Sequence, residues 1–218
     1  MNQRQDRNRP LILIGAGGHA RVVLSTLLLQ GRRVLGFVAP EKRSTDLLAV
    51  PQLGGDEAVL TYDPSEVLLI NGVGSAASIS RRLKTYEYFR TEGYRFESVI
   101  HPSSIVAPEG ELADGVQIMA GAILQTGYSI EEDAIINTGA RVDHDCVIGA
   151  HAHVAPGAVL SGSVHVGQRA HVGAGSVVIQ NLKIGNDSIV GAGAVVLADV
   201  PASSTVVGVP ARPIHAKA

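Results

Sequence analysis

Five of the eight histidines in this chain, His144, His151, His153, His165 and His171, fall in one short stretch, and the first stands between two acids in Asp143-His144-Asp145. A carboxylate that accepts a hydrogen bond from one imidazole nitrogen fixes the tautomer and raises the basicity of the other, which a general base near neutral pH requires. The competing interpretation is a solvated polar turn. In a regular strand Asp143 and Asp145 would both point away from His144, so the pairing needs a corner.

Glycine supplies a second kind of site. Leu11-Ile12-Leu13-Ile14 runs into Gly15-Ala16-Gly17-Gly18-His19-Ala20, and another apolar run leads into Asn71-Gly72-Val73-Gly74-Ser75. Glycines between a strand and a helix let backbone N–H groups approach an anion at the positive helix end, which suits a phosphate or pyrophosphate. The first loop is spelled G-x-G-x-x-A, yet a nicotinamide dehydrogenase needs an acid after the second strand to hold the ribose, and Phe37-Val38-Ala39-Pro40 offers none before Glu41. Another nucleotide-bearing ligand fits better, with an NAD site and a ligand-free tight turn as alternatives. His19 would face that ligand or cap the helix.

The element that must position the histidines is a repeat. From Val106 to Val196 every sixth residue is Val, Leu or Ile, sixteen times in succession. The position four after each anchor is usually small, as in Ala122, Ala134, Ala140, Cys146, Ala152, Ala158, Ala170, Ser176, Ser188 and Ala194, with Tyr128 and Leu182 as bulky exceptions. A helix repeats near 3.6 and a strand near 2, so a strict period of six implies a short strand and a corner, repeated, with three hexads to a triangular coil. Residues eighteen apart then stack on adjacent coils: His153 over His171, and His144 over Gly162, a bare shelf beside the imidazole. All five histidines avoid the inward positions. Glycine follows the anchor in Ile148-Gly149, Val166-Gly167, Val172-Gly173, Ile184-Gly185 and Val190-Gly191, and is predicted to supply backbone angles there that a Cβ resists.

Ahead of the repeat the rhythm is β-α-β. Strands are predicted at Leu11–Ile14, Val34–Val38, Val67–Ile70 and near Phe96–Ile100. Helices are predicted from the first loop through Leu29, ending near Gly31, and from about Ala76 to Glu92. The predicted organisation is a small Rossmann-like α/β domain over residues 1–103 and an all-β parallel β-helix over 104–218, joined near His101-Pro102.

The 218 residues are 45% hydrophobic and carry a net charge of −2, so a core is feasible and the basic footprint of a nucleic-acid binder is missing. The lone Cys146 takes an inward position and is expected to pack, in a reducing compartment. A polar start and an apolar run of only four residues, Leu11 to Ile14, predict neither signal peptide nor membrane span, hence a cytoplasmic protein. The histidines lack the H-x-x-x-x-H pair that one class of zinc carbonic anhydrase uses on such a fold, and no metal is expected.

Taken together, the βαβ start with Gly-Ala-Gly-Gly-His, the His101-Pro102 junction, the hexads, Asn137-Thr138, His144-Asp145, His153 and the terminal Val207-Gly208-Val209-Pro210-Ala211-Arg212 resemble the sugar O- and N-acyltransferases of the sialic acid and bacillosamine type. The resemblance implies left-handed β-helices in a homotrimer, acetyl-CoA between neighbouring helices, and a sugar nucleotide held by the N-terminal domain at Gly15, Gly17, Gly18, His19, Gly72 and Gly74. Carried over by motif, His144 is the base, Asp145 its orienting acid, Asn137 a positioning neighbour, and His153 a donor toward the acetyl thioester. Gly162, Ala174 and Ala192 match backbone positions along the pantetheine arm, and Arg212 and Lys217 fall to the phosphates of the coenzyme. Relatives acting on UDP-linked amino sugars carry paired acids where this chain has Ala39-Pro40-Glu41, so a GDP-linked 4-amino-4,6-dideoxy sugar such as GDP-perosamine is preferred as acceptor over UDP- or dTDP-linked ones. O-acetylation of sialic acid or a related sugar is the alternative. A noncatalytic β-helix scaffold and a nucleotide-binding module are alternatives of another class.

Overall fold

The computed structural model describes residues 9–41, 47–75 and 79–214. Contacts divide the chain into two compact units at Val99/Ile100.

The first unit contains β1 (Leu11–Ile14), α1 (Gly18–Leu29), β2 (Val34–Val38), β3 (Gln52–Gly54), β4 (Leu68–Asn71) and α2 (Ile79–Thr91). Its sheet runs β3-β2-β1-β4 with every pair parallel. β1 and β4 are buried at every residue, which is why their sequences are unbroken apolar runs rather than alternations. α1 buries Ala20, Val23, Leu24 and Leu27 as a helical stripe. Strand order reverses between β1 and β4, so the loops after these two strands flank the crevice where parallel α/β sheets place ligands.

The sequence locates β1 and β2 residue for residue and β4 one residue early. It does not foresee β3 or the 3-10 helix Asp56–Thr61, because a three-residue strand and a six-residue helix are too short to carry a period. The second helix runs from Ile79, its predicted first three residues lying outside the described ones, and the predicted fourth strand is reduced to a bridge from Phe96 to Leu69 and the pair Val99–Ile100.

The second unit is a left-handed parallel β-helix with three faces. Face one stacks Ile105, Ile123, Arg141, Val159, Val177 and Val195 outward. Face two stacks Ser129, Val147, His165 and Lys183. Face three stacks Gln117, Ile135, His153, His171 and Ile189. Each of these pairings joins residues eighteen apart. The anchors from Ile118 to Val196 and the small layer from Ala122 to Ala194 form one continuous buried core, except that Leu182 is only partly buried against it. The Tyr128 ring fits because Gly110 lies across it, where a Cβ would come within 2.5 Å of ring atoms, and its hydroxyl donates to Ala107 O. Ser176 and Ser188, in the same layer, satisfy their hydroxyls on Gly173 O and Gly185 O.

The corners correct one expectation. The glycine after the anchor does not provide a positive φ. That conformation occurs two residues later, and non-glycine residues often hold it: Asp133, Asp145, His151, Ser163, Arg169, Asn181 and Asp187, with φ between 55° and 61°. The glycines after the anchors answer a packing demand instead. A Cβ on Gly149 would lie 2.6 Å from Gln168 N, and one on Gly167 2.6 Å from Asn186 N, both atoms of the next coil. The last coil ends in an antiparallel pairing of Thr205–Val207 with Arg212–Ile214. Among the described residues no helix is long and apolar enough to cross a membrane.

Candidate functional site

The corner between faces one and two carries His144. Its imidazole Nδ1 lies 2.8 Å from Asp145 Oδ2. Asp145 reaches it because φ of 58° turns its side chain out of strand geometry, and because Gly127, one coil earlier, leaves room for the carboxylate. Asp143 has a different task, accepting from the backbone N–H of His144 at 2.8 Å. Donation from Nδ1–H to Asp145 leaves the lone pair on Nε2, and the hydrogen bond, aided by the negative charge of both aspartates, pushes the imidazole up from its ordinary value. The predicted shelf is present: a Cβ on Gly162 would sit 2.5 Å from both Nε2 and Cε1. His144 is exposed, so Nε2 of the oriented imidazole faces solvent.

A second group lies on face three and the corner leading to face one. Asn137 Nδ2 and His153 Nε2 are 2.9 Å apart. Asn137 Oδ1 accepts from Thr138 N–H at 2.8 Å, so the amide must present its NH2 to the ring. His153 Nε2 is therefore an acceptor, and only Nδ1 of the neutral ring can donate. The donor role expected of His153 narrows to that nitrogen. The His171 ring meets His153 edge-on at 4.8 Å between centroids, and burial lowers the pKa of His171, which favours a neutral ring in the stack.

Ala174 and Ala192 lie exposed along this same corner. His144, Asp145 and Gly162 thus gather at one edge of face one, and Asn137, His153, Ala174 and Ala192 at the other. Arg212 is exposed in the terminal strand pairing, and Lys217 lies outside the described residues. Cys146 faces the core behind His144, and burial pushes its thiol up to about 11, the state of an inert packing residue. Among the described residues there is no group of three or more His, Cys, Asp or Glu that could hold a metal.

In the first unit the two glycine loops meet. Gly72 N–H donates to Ile14 O at 2.8 Å, a Cβ on Gly72 would lie 2.7 Å from that oxygen, and one on Gly74 3.3 Å from His19 Cβ. Gly15 is at φ 100° with Gly72 backbone beside it. Gly17 is the N-cap of α1 and makes no side-chain capping bond, and a Cβ on Gly17 or Gly18 would meet nothing within 4 Å. The packed glycines bring the loops together; the open ones expose backbone at a helix start. Three consequential features escape the sequence: the burial of the Asp133–His151 pair, the Asn137–His153 bond and the buried Arg82.

Residues 10–88 match the PglD N-terminal domain, and residues 127–162 and 163–198 match bacterial transferase hexapeptide repeats. The chain matches no curated protein sequence. Its structure is similar to that of PerB from Caulobacter crescentus in complex with CoA and GDP-perosamine, with 39% identity over 94% of this chain and 97% of that one and a TM-score of 0.87. A histidine-to-asparagine variant of the perosamine N-acetyltransferase of the same organism, with the same two ligands, gives 38% identity over 95% and 97% of the chains and a TM-score of 0.88. The acetyltransferase domain of PglB from Neisseria gonorrhoeae gives 32% identity over 95% and 100% and a TM-score of 0.87.

Proposed function

The chain belongs to the hexapeptide-repeat acetyltransferases that carry a PglD N-terminal domain, and on that premise we propose that it acetylates the 4-amino group of a GDP-linked 4-amino-4,6-dideoxy sugar, with His144 as general base. An acetyl-CoA-dependent N-acetyltransferase of an amino sugar is the activity that goes with likeness over nearly the whole chain; the nucleotide, the base and the other site residues are the proposal. GDP-perosamine is favoured because PerB, similar in both units, is seen with it. Ala39-Pro40-Glu41 also lacks the paired acids of the UDP-sugar enzymes.

The observation that carries the mechanism is the His144–Asp145 pair over the Gly162 shelf. The amine nitrogen attacks the thioester carbonyl while His144 Nε2 takes a proton from it. The negative charge that develops on the carbonyl oxygen needs a donor, for which His153 Nδ1–H and nearby backbone N–H groups are suited. Collapse forms the amide and expels the thiolate of CoA, which receives the proton from His144. No covalent enzyme intermediate is required, and holding both substrates in reach supplies much of the acceleration.

Base and pantetheine-contact positions sit on opposite edges of face one, whose outward column is aliphatic except for Arg141. A homotrimer that buries this face sets one copy's His144 edge against the next copy's Ala174 and Ala192 edge, so that acetyl-CoA is held between copies. Gly15, Gly17, Gly18, His19, Gly72 and Gly74 hold the sugar nucleotide, and Arg212 and Lys217 the phosphates of CoA. The enzyme works in the cytoplasm on this reading.

The test is thiol release from acetyl-CoA with GDP-, UDP- and dTDP-linked 4-amino sugars and free sialic acid, run beside His144→Ala. One acceptor whose turnover depends on His144 supports the proposal. Turnover only with sialic acid makes the enzyme an O-acetyltransferase, and near-normal turnover of the variant returns His144 to a surface role.

A further inference from the structure

Arg82 is the largest fully buried side chain among the described residues, with no exposed surface, in the first turn of α2. Its Nη1 donates to Asn71 O at 3.0 Å and to Val73 O at 2.7 Å. Asn71 returns the contact: its Nδ2 donates to Arg82 O at 3.3 Å, while its Oδ1 accepts from Val73 N–H at 3.2 Å. The backbone at the end of β4 is thus tied on both sides, by an arginine from the following helix and by its own asparagine, just where the chain turns into Gly72-Val73-Gly74. Gly72 is in turn tied to Ile14 O.

A guanidinium is among the costliest groups to bury, and a position that only needed filling would be served by Leu or Met. What Arg adds is a long, permanently charged side chain whose Nη1 alone bridges two carbonyls. Of these two acceptors, Asn71 O ends β4 and Val73 O lies in the loop that faces His19 and the Gly15 turn. We propose that Arg82 is a positioning residue for the sugar-nucleotide site, fixing the Gly72–Ser75 loop in its binding shape before the ligand arrives; this rests on the assignment of that crevice to the sugar nucleotide. A loop already ordered has less freedom to lose on binding, so the gain appears in affinity for that substrate and not in the chemical step.

The test is steady-state kinetics and amide hydrogen exchange on the full chain for Arg82→Lys and Arg82→Met. KM for GDP-perosamine should rise about tenfold or more in Arg82→Met and less in Arg82→Lys, with kcat and KM for acetyl-CoA near those of the parent. Exchange at Gly72 and Val73 should quicken. If Arg82→Met does not fold, Asn71→Ser, which cuts the same knot from the other side, must show the same split. An active variant with unchanged KM for the sugar nucleotide overturns the proposal, as does a fall in kcat and melting temperature with that KM unmoved. A parent enzyme that acetylates only an acceptor without a nucleotide sinks the crevice assignment itself, a failure seen before any variant is made.

Discussion

Two corners of the β-helix carry a histidine and an aspartate with Nδ1 near a carboxylate oxygen, and they do opposite things. At the first, His144 and Asp145 are neighbours in sequence, 2.8 Å apart, with side chains 56% and 64% exposed. At the second, between faces two and three, His151 and Asp133 lie one coil apart, 3.1 Å between them, with side chains 9% and 0% exposed. The buried pair links successive coils, and Arg169 and Asp187 continue that column with two short hydrogen bonds. The exposed pair links nothing and leaves Nε2 facing outward over a glycine. Residue type does not separate an exposed pair from a staple between coils; a shift from neighbour to coil-mate does.

Deleting each histidine should split the corners most widely. His144→Ala is expected to lower kcat about 10²- to 10⁴-fold if it is the base, with the melting temperature unmoved because the side chain is solvated. His151→Ala should leave kcat near the parent value and cost stability instead, on the order of 1–3 kcal/mol for withdrawing a partner from the buried Asp133 carboxylate. Kinetics and thermal melts of both variants decide it. A kcat loss in His151→Ala, or a large melting shift in His144→Ala, breaks the distinction.

Glycines sharpen it at the next level. Gly162→Ala places a methyl against the far end of the His144 side chain, which can swing away, so turnover should fall roughly tenfold or more from misplacement of the base with little change in melting. Gly167→Ala meets backbone of the adjacent coil at 2.6 Å, which cannot swing, so stability should fall and the turnover of whatever folds should not. Equal melting temperatures for the two variants would show that the coil spacing yields more readily than a stack of short strands allows.

Much of this contrast was legible in the sequence and part was not. The period of six fixed the anchors, the small layer and the stacking of His144 on Gly162, because a strict repeat converts sequence distance into spatial distance. The same rule places Asp133 on His151, but a repeat does not say which outward positions are buried. The αL corners stayed hidden because Asp145, His151 and Arg169 hold a conformation usually credited to glycine, while the glycines that drew attention serve coil-to-coil contact. In the first unit, Arg82 lies in the polar-looking helix ISRRLKTYEYFRT, where nothing distinguishes a buried arginine from a solvated one.

The finest test concerns what each aspartate beside His144 contributes. Asp145 stabilises the imidazolium through the hydrogen bond to Nδ1, so the pKa of His144 stands above its ordinary value. A base at His144 would be protonated and idle below that pKa, so activity should rise with pH through it. Asp145→Asn keeps an acceptor for Nδ1–H but removes the charge, so the acid limb of the kcat/KM profile should move to lower pH while the plateau drops roughly tenfold, less than on deleting the base. Asp143 acts on the ring only through its charge, since its carboxylate oxygen is bonded to the His144 backbone N–H. Asp143→Asn should move the limb in the same direction by less, and raising the ionic strength should shrink the Asp143 effect more than the Asp145 effect, because screening weakens a distant solvated charge before it weakens a hydrogen bond. A limb that stays in place in Asp145→Asn would mean that the titrating group in turnover is not His144, whatever its exposed corner looks like beside the buried one.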